Sequence, residues 1–187
     1  MYHFNIVYYD LVYYDLLDYD LQYDMNVYLK SLIDLHIVSK EFSVGKQGSG
    51  KPLYQVSDQM YRFWYRFVQP YQRYVETDRG KEIYYAAVQG QIPAFMGCIF
   101  EEIVFEYMQL PSVRQKMICL ITEEGRWWGS DPVRRQEVEI DYVSLGSGGT
   151  ILGEAKWRNG LLLESVYLEL IEKGRLLAGE KRIFSLQ

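Results

Sequence analysis

Residues 138–157 constrain the fold more than any other stretch of the chain. Val138-Glu139-Ile140-Asp141-Tyr142-Val143 and Ile151-Leu152-Gly153-Glu154-Ala155-Lys156-Trp157 are two apolar runs of strand length, joined across Gly146-Ser147-Gly148-Gly149. Such runs around a glycine-rich turn predict a hairpin inside a buried sheet. Side chains alternate faces along a strand, so Glu154 and Lys156 project to one side, where Asp141 on the paired strand can meet them. Twelve residues separate Asp141 from Glu154, room for one hairpin and little else. Charge on an apolar sheet is costly unless it binds a metal or pairs internally. Two carboxylates and an ammonium on a rigid sheet therefore point to a divalent-metal phosphodiesterase site, with an internal ion-pair network as the structural alternative.

A third carboxylate comes from upstream. Residues 93–108 have strong helical patterning, and Glu101 falls among Gly97, Cys98, Val104 and Phe105 on its apolar stripe. Glu102 stacks instead with Glu106, the pattern of a wet face. Glu101 is the inward-facing acid that a metal site would recruit.

The remaining chain reads as smaller pieces. Residues 8–24 repeat Tyr-Tyr-Asp-Leu-Val imperfectly every five residues, a period that fits neither helix nor strand. Leu29, Leu32, Ile33 and Ile37 then fall at helical spacing, followed by Phe42-Ser43-Val44, a glycine-rich tip from Gly45 to Gly50, and the alternating Leu53-Tyr54-Gln55-Val56. Helix, strand, tip and strand make the back half of a winged helix. Its wing would touch a nucleic-acid backbone with Lys46 and Lys51, and its helix would bring Lys30 to a groove; a wing used only for protein contacts fits equally. Ser57 or Asp58 caps a further helix, with Met60, Phe63, Trp64 and Phe67 as its stripe and Pro70 at its end. Residues 161–178 read as helix and 181–186 as a last strand. The resulting organisation is a Tyr/Asp-rich segment (1–25), a partial winged helix (26–57), a helical linker (58–91) and an α+β domain (92–187).

Composition removes several function classes. The first 28 residues hold five Asp and no Lys or Arg, while 20 basic residues face 20 acidic ones over residues 29–187. A neutral body is not the profile of a dedicated DNA binder, though a local patch suffices for contact. His3 and His36 are too few for a His-rich zinc site. Cys98 and Cys119, beside apolar segments, read as buried free thiols of a reducing cytoplasm. No apolar run reaches the roughly 18–20 residues of a membrane span, and nothing suggests export, so a cytoplasmic protein without membrane contact is expected. Gly45 to Lys51 matches the first seven positions of a phosphate-binding loop, but Pro52 stands where a magnesium-binding hydroxyl belongs and a strand follows instead of a helix. No ATP site is expected.

The motifs together resemble a known family. Gly97-Cys98-Ile99-Phe100-Glu101, Ile140-Asp141 and Glu154-Ala155-Lys156 are similar to the PD-(D/E)XK nuclease superfamily. With Arg62-Phe63-Trp64-Tyr65-Arg66-Phe67 and Gly125-Arg126-Trp127-Trp128, they resemble the C-terminal region of archaeal-type ATPases, a domain of unknown function that follows an ATPase module and a winged helix. The resemblance covers about residues 26–187 and implies an αβββαβ core. The chain departs from it in having no ATPase module and in carrying the tyrosine repeat where the first helices of the winged domain belong.

Under the superfamily's chemistry, Asp141, Glu154 and the Ala155 carbonyl would hold Mg²⁺ or Mn²⁺. Lys156 would orient the attacking water and offset charge at phosphorus, and Glu101 would assist at the metal. Glu139, on the face of Asp141, could substitute in the shell. Arg134 and Arg135, just upstream, would contact phosphate or lie on a solvated hairpin. Nuclease-like folds also persist as inactive binding modules, so the chain is either a metal-dependent nuclease acting on nucleic acid or a non-catalytic module that binds DNA or docks an ATPase or other protein partner.

Overall fold

The first helix ends because His36 reverses the chain. The computed structural model describes residues 19–178 apart from 47, 49, 118 and 119, and begins with helix α1 (Tyr19–Asp34). Most of the five-residue repeat, and the strand expected at 181–186, therefore lie outside the described residues. His36 takes a positive φ of 57°. Its N–H donates to the Ile33 carbonyl at 2.9 Å and that of Ile37 to Leu32 at 2.9 Å, the paired bonds of a helix stop with a left-handed residue. Strands β1 (Val38–Glu41) and β2 (Leu53–Val56) then pair antiparallel, Val38 opposite Val56. Asp58 caps the next helix, its Oδ1 accepting from the N–H of Met60 at 2.8 Å and of Tyr61 at 3.1 Å.

That helix does not run unbroken to Pro70 as the periodicity predicts. α2 (Gln59–Phe63) widens into a π-turn over Trp64–Val68 and tightens to a 3₁₀ turn at Gln69–Tyr71, before α3 (Gln72–Glu76). Proline has no N–H to offer the carbonyl one turn earlier and crowds it, and a widened turn relieves both conflicts. The same succession recurs in α4 (Gly80–Ile83), a π-turn at Tyr84–Val88 and a 3₁₀ turn at Gln89–Gln91. Phe63-Trp64-Tyr65-Arg66-Phe67-Val68-Gln69-Pro70 and Ile83-Tyr84-Tyr85-Ala86-Ala87-Val88-Gln89-Gly90 are thus a twenty-residue repeat in sequence and in backbone form. These elements form the first of two compact units, residues 1–41 with 51–90.

The second unit comprises residues 42–50 and 91–187. It contains α5 (Ile92–Gln109), the short α6 (Pro111–Arg114), β3 (Ile121–Asp131), β4 (Gln136–Gly146), β5 (Gly149–Gly153) and α7 (Glu164–Ala178). The strands form one antiparallel sheet in the order β3-β4-β5. Helix and sheet are mixed in the α+β manner.

One irregularity organises the sheet. Gly125 pairs with Val143 and Trp127 with Ile140, so β4 carries one residue more than β3 between those pairs. This bulge at Asp141-Tyr142, opposite Arg126, shifts the alternation by one. Val138 and Ile140 before it, and Val143 and Leu145 after it, consequently share a face. They join Val44, Trp127 and Leu152 in the core, with Leu170 and Leu177 of α7 packed against them. The other face carries Tyr142, whose ring meets Phe105 of α5 at 5.8 Å. Gly153 lies opposite Tyr142, and a Cβ there would come within 3.1 Å of the Tyr142 Cβ.

The outer edge of β3 is covered by the tip of the β1–β2 hairpin. Val44 N–H donates to the Arg126 carbonyl at 3.0 Å. Ser43 Oγ donates to the Trp128 carbonyl at 3.1 Å and accepts the Trp128 N–H at 3.0 Å. Gly45 N–H donates to Glu123 Oε1 at 2.8 Å. Val44 is 2% exposed and belongs to the core. Among the described residues no helix is long and apolar enough to cross a membrane.

Candidate functional site

The bulge delivers Asp141 to the place where β5 ends. Its Oδ2 accepts the Ala155 N–H at 2.8 Å, one residue beyond the Glu154 that follows the strand. Burial holds the Asp141 carboxyl up at about 6, and the Glu154 charge adds to this against the pull of the Ala155 N–H and Lys156. Glu101, on α5, is pushed up to about 7, first by burial and then by the charges of Asp141 and Glu139; Arg126 and Lys156 act the other way. The charge of Asp141, when present, helps to retain the proton on Glu101. Glu102, expected on a wet face, is half-buried like Glu101.

Glu154 is treated differently. Its side chain is only 8% exposed and carries two ammonium groups. Lys156 Nζ donates to Oε1 at 2.5 Å, and Lys173 Nζ lies 3.1 Å from Oε1 and 3.2 Å from Oε2. Burial opposes the Lys156 charge, but the hydrogen bond and charge of Glu154 prevail and hold this lysine above its ordinary range. The four residues singled out from sequence, joined by Lys173, thus form an electrostatic cluster of two parts: a strained acid pair (Glu101, Asp141) and a compensated acid (Glu154) under Lys156 and Lys173. As placed, no three His, Cys, Asp or Glu side chains among the described residues form a group that could hold a metal ion.

Two participants escape the sequence reading. Lys173 lies on the stripe of α7 that carries Leu170 and Leu177 into the core, so the test that selected Glu101, a charge among apolar helical neighbours, would have selected it too. Arg126 reaches Glu139 at 3.9 Å and sits opposite the bulge; only the bulge reveals its position. Lys173→Met is expected to lower the unfolding free energy by about 1–3 kcal/mol, because Glu154 keeps Lys156 but loses its more buried partner. Urea denaturation checks this, and an unchanged midpoint would mean the pair contributes nothing.

The basic residues expected at nucleic acid are spread over both units. Lys30 and Lys51 belong to the first unit and Lys46 to the second, and all three are exposed. Arg134 and Arg135 occupy the exposed β3–β4 turn. Arg134 is engaged by Glu172 at 2.6 Å, while Arg135 takes the turn's positive φ of 52°. Cys98 is half-buried; Cys119 lies outside the described residues.

Residues 64–171 match the family model DUF234, described as archaeal and bacterial proteins of unknown function. The uncharacterized protein MJECL04 of Methanocaldococcus jannaschii is 21% identical over 157 residues, which are 82% of this chain and 34% of that protein. The chain thus spans about a third of the length of this curated relative. No solved structure matches it.

Proposed function

The chain belongs to this family of archaeal and bacterial proteins of unknown function, and from that premise we propose that its second unit is a divalent-metal-dependent phosphodiesterase of the PD-(D/E)XK kind, acting on nucleic acid. One observation carries the reading. A sheet bulge aims Asp141 at the backbone of Glu154-Ala155-Lys156 while the adjoining helix contributes Glu101. A strained pair of buried acids is the environment that a divalent cation relieves.

Asp141, Glu154 and the Ala155 carbonyl would hold Mg²⁺ or Mn²⁺, hard cations suited to oxygen donors. When bound, such an ion polarises a phosphate oxygen and lowers the cost of activating water. Glu154 fits this only after giving up at least one of its two lysines. Lys156, with 41% of its side chain exposed, is the one free to turn toward substrate. There its ammonium orients the attacking water and offsets the negative charge that grows on the phosphoryl oxygens. Glu101, with a carboxyl poised near neutrality, accepts the proton released as water attacks. Lys173 stays behind and keeps Glu154 in position.

Residues 26–57, with the end of α1 and the β1–β2 hairpin, are the back half of a winged helix in this reading. Lys30, Lys46 and Lys51 are its backbone contacts. A second reading, a non-catalytic module that docks nucleic acid, an ATPase or another partner within a longer protein, draws support from the double-lysine neutralisation of Glu154.

Incubating plasmid and branched DNA with Mg²⁺ or Mn²⁺ separates the two. Wild type should cleave, and Lys156→Ala should lose about 100-fold or more of the rate, the usual cost of removing a charge-stabilising group. An inert wild type across both metals and several substrates would leave the second reading standing.

A further inference from the structure

Beyond the acids, the chain runs Lys156-Trp157-Arg158-Asn159-Gly160 with neither helix nor strand over it. Trp157 is 50% exposed, although it stands next to the candidate catalytic lysine. Its ring lies 5.6 Å from Phe100 of α5, centroid to centroid, with the planes inclined at 56°. The indole is thus braced from the helix that carries Glu101, and half of it remains open to water. Arg158 donates to the Leu161 carbonyl, and Gly160 turns the backbone with a φ of 109°. Two cations flank one open aromatic, on a short segment tied down at both ends.

Leaving so much indole in water is unfavourable, and the polar residues after it offer no apolar cover. The surrounding chemistry suits one occupant. An unpaired nucleobase presents a π-face to an aromatic ring, while the phosphates on either side take the cations. A base inside a continuous duplex has both faces covered by its neighbours and cannot use the platform. We propose that Trp157 stacks an unpaired nucleobase beside Lys156, so that the site takes single-stranded or frayed nucleic acid in preference to continuous duplex. The location of the scissile phosphate rests on the phosphodiesterase reading; the stacking does not. Leu161, Leu162 and Leu163, exposed just downstream, would instead suit an apolar protein partner, and the experiment distinguishes that case.

The test is fluorescence anisotropy of labelled oligo(dT) and of a blunt duplex of equal length, titrated with full chain in EDTA so that strands stay intact. Wild type should bind oligo(dT) more tightly than duplex. Trp157→Leu should weaken oligo(dT) binding by about tenfold or more with duplex binding unchanged, and Trp157→Phe should retain most of the affinity. Thermal melts confirm that the variants are folded. Equal oligo(dT) affinity for wild type and Trp157→Leu, an equal loss on both nucleic acids, or no binding by wild type each overturns the platform. Trp157-dependent binding without cleavage in Mg²⁺ would sink hydrolysis alone, whereas cleavage indifferent to Trp157→Leu would sink the platform alone.

Discussion

Asp141→Asn is expected to abolish divalent-dependent cleavage and, at pH 8, to raise the melting temperature by about 3–6 °C. The two effects have one cause. Asp141 is held at about 6 in the folded chain against an ordinary 3.8, so its charge is disfavoured by folding. Below the lower value both states carry the proton and nothing is lost. Between pH 3.8 and about 6 the unfolded chain releases the proton while the folded one retains it, and stability falls as pH rises. Above that window the penalty is constant. Glu101 extends the decline to about 7 from its ordinary 4.5. A two-unit shift corresponds to about 3 kcal/mol; allowing for solvent reaching the site, about half is expected on neutralisation, hence the few degrees. Asparagine keeps an oxygen for the Ala155 N–H, so the gain is not masked by a lost hydrogen bond. Calorimetry of both proteins from pH 4 to 8 checks this, with wild type alone gaining stability from added Mn²⁺ at the upper end. A variant melting below wild type at pH 8 would show that Asp141 is not strained.

Val44→Asp should destabilise the second unit by about 4 kcal/mol or more and lower its melting temperature by about 10 °C, although residue 44 lies far from the sheet in sequence. Val44 is enclosed by Trp127 and its neighbours, and an ionised side chain there has no partner to offset its desolvation. Val44→Ala should cost about 2 kcal/mol, from lost contact and a residual void. Near-ultraviolet dichroism, sensitive to Trp127 packing, reports the change. A melting temperature within about 2 °C of wild type for the aspartate variant would mean that the hairpin tip is not part of the core.

The strands and long helices were legible because apolar periodicity survives in a single sequence: β4 and α5 lie close to where the pattern puts them, whereas β5 ends at Gly153, short of residues 154–157, which the same apolar run includes. The bulge was not legible. Strict alternation places Tyr142 with Ile140, whereas one extra residue turns it to the opposite face with Phe105, and only pairing with β3 determines that. The π-turns were not legible for a related reason: an aromatic stripe at helical spacing looks the same in an α- or a π-turn, and the second π-turn, Tyr84–Val88, forms with Gly90 where the first has Pro70. Lys173 carries the same mark as Glu101, a charge on an apolar helical stripe, beside Leu170 and Leu177. The docking of the hairpin tip was not legible, since Phe42-Ser43-Val44 carries no mark of which strand it will cover.

That cover has a consequence for how this protein can be divided or inherited. The matched family region opens at residue 64, after the tip that completes the sheet. A fragment cut anywhere between residues 51 and 90 would leave β3 with bare N–H and carbonyl groups and the core without Val44, an invitation to pair with another molecule. The catalytic candidate is therefore not a cassette that recombination can transplant in one continuous stretch. Any exchange has to carry the hairpin along, so the hairpin and the sheet are expected to travel through evolution as a single heritable parcel.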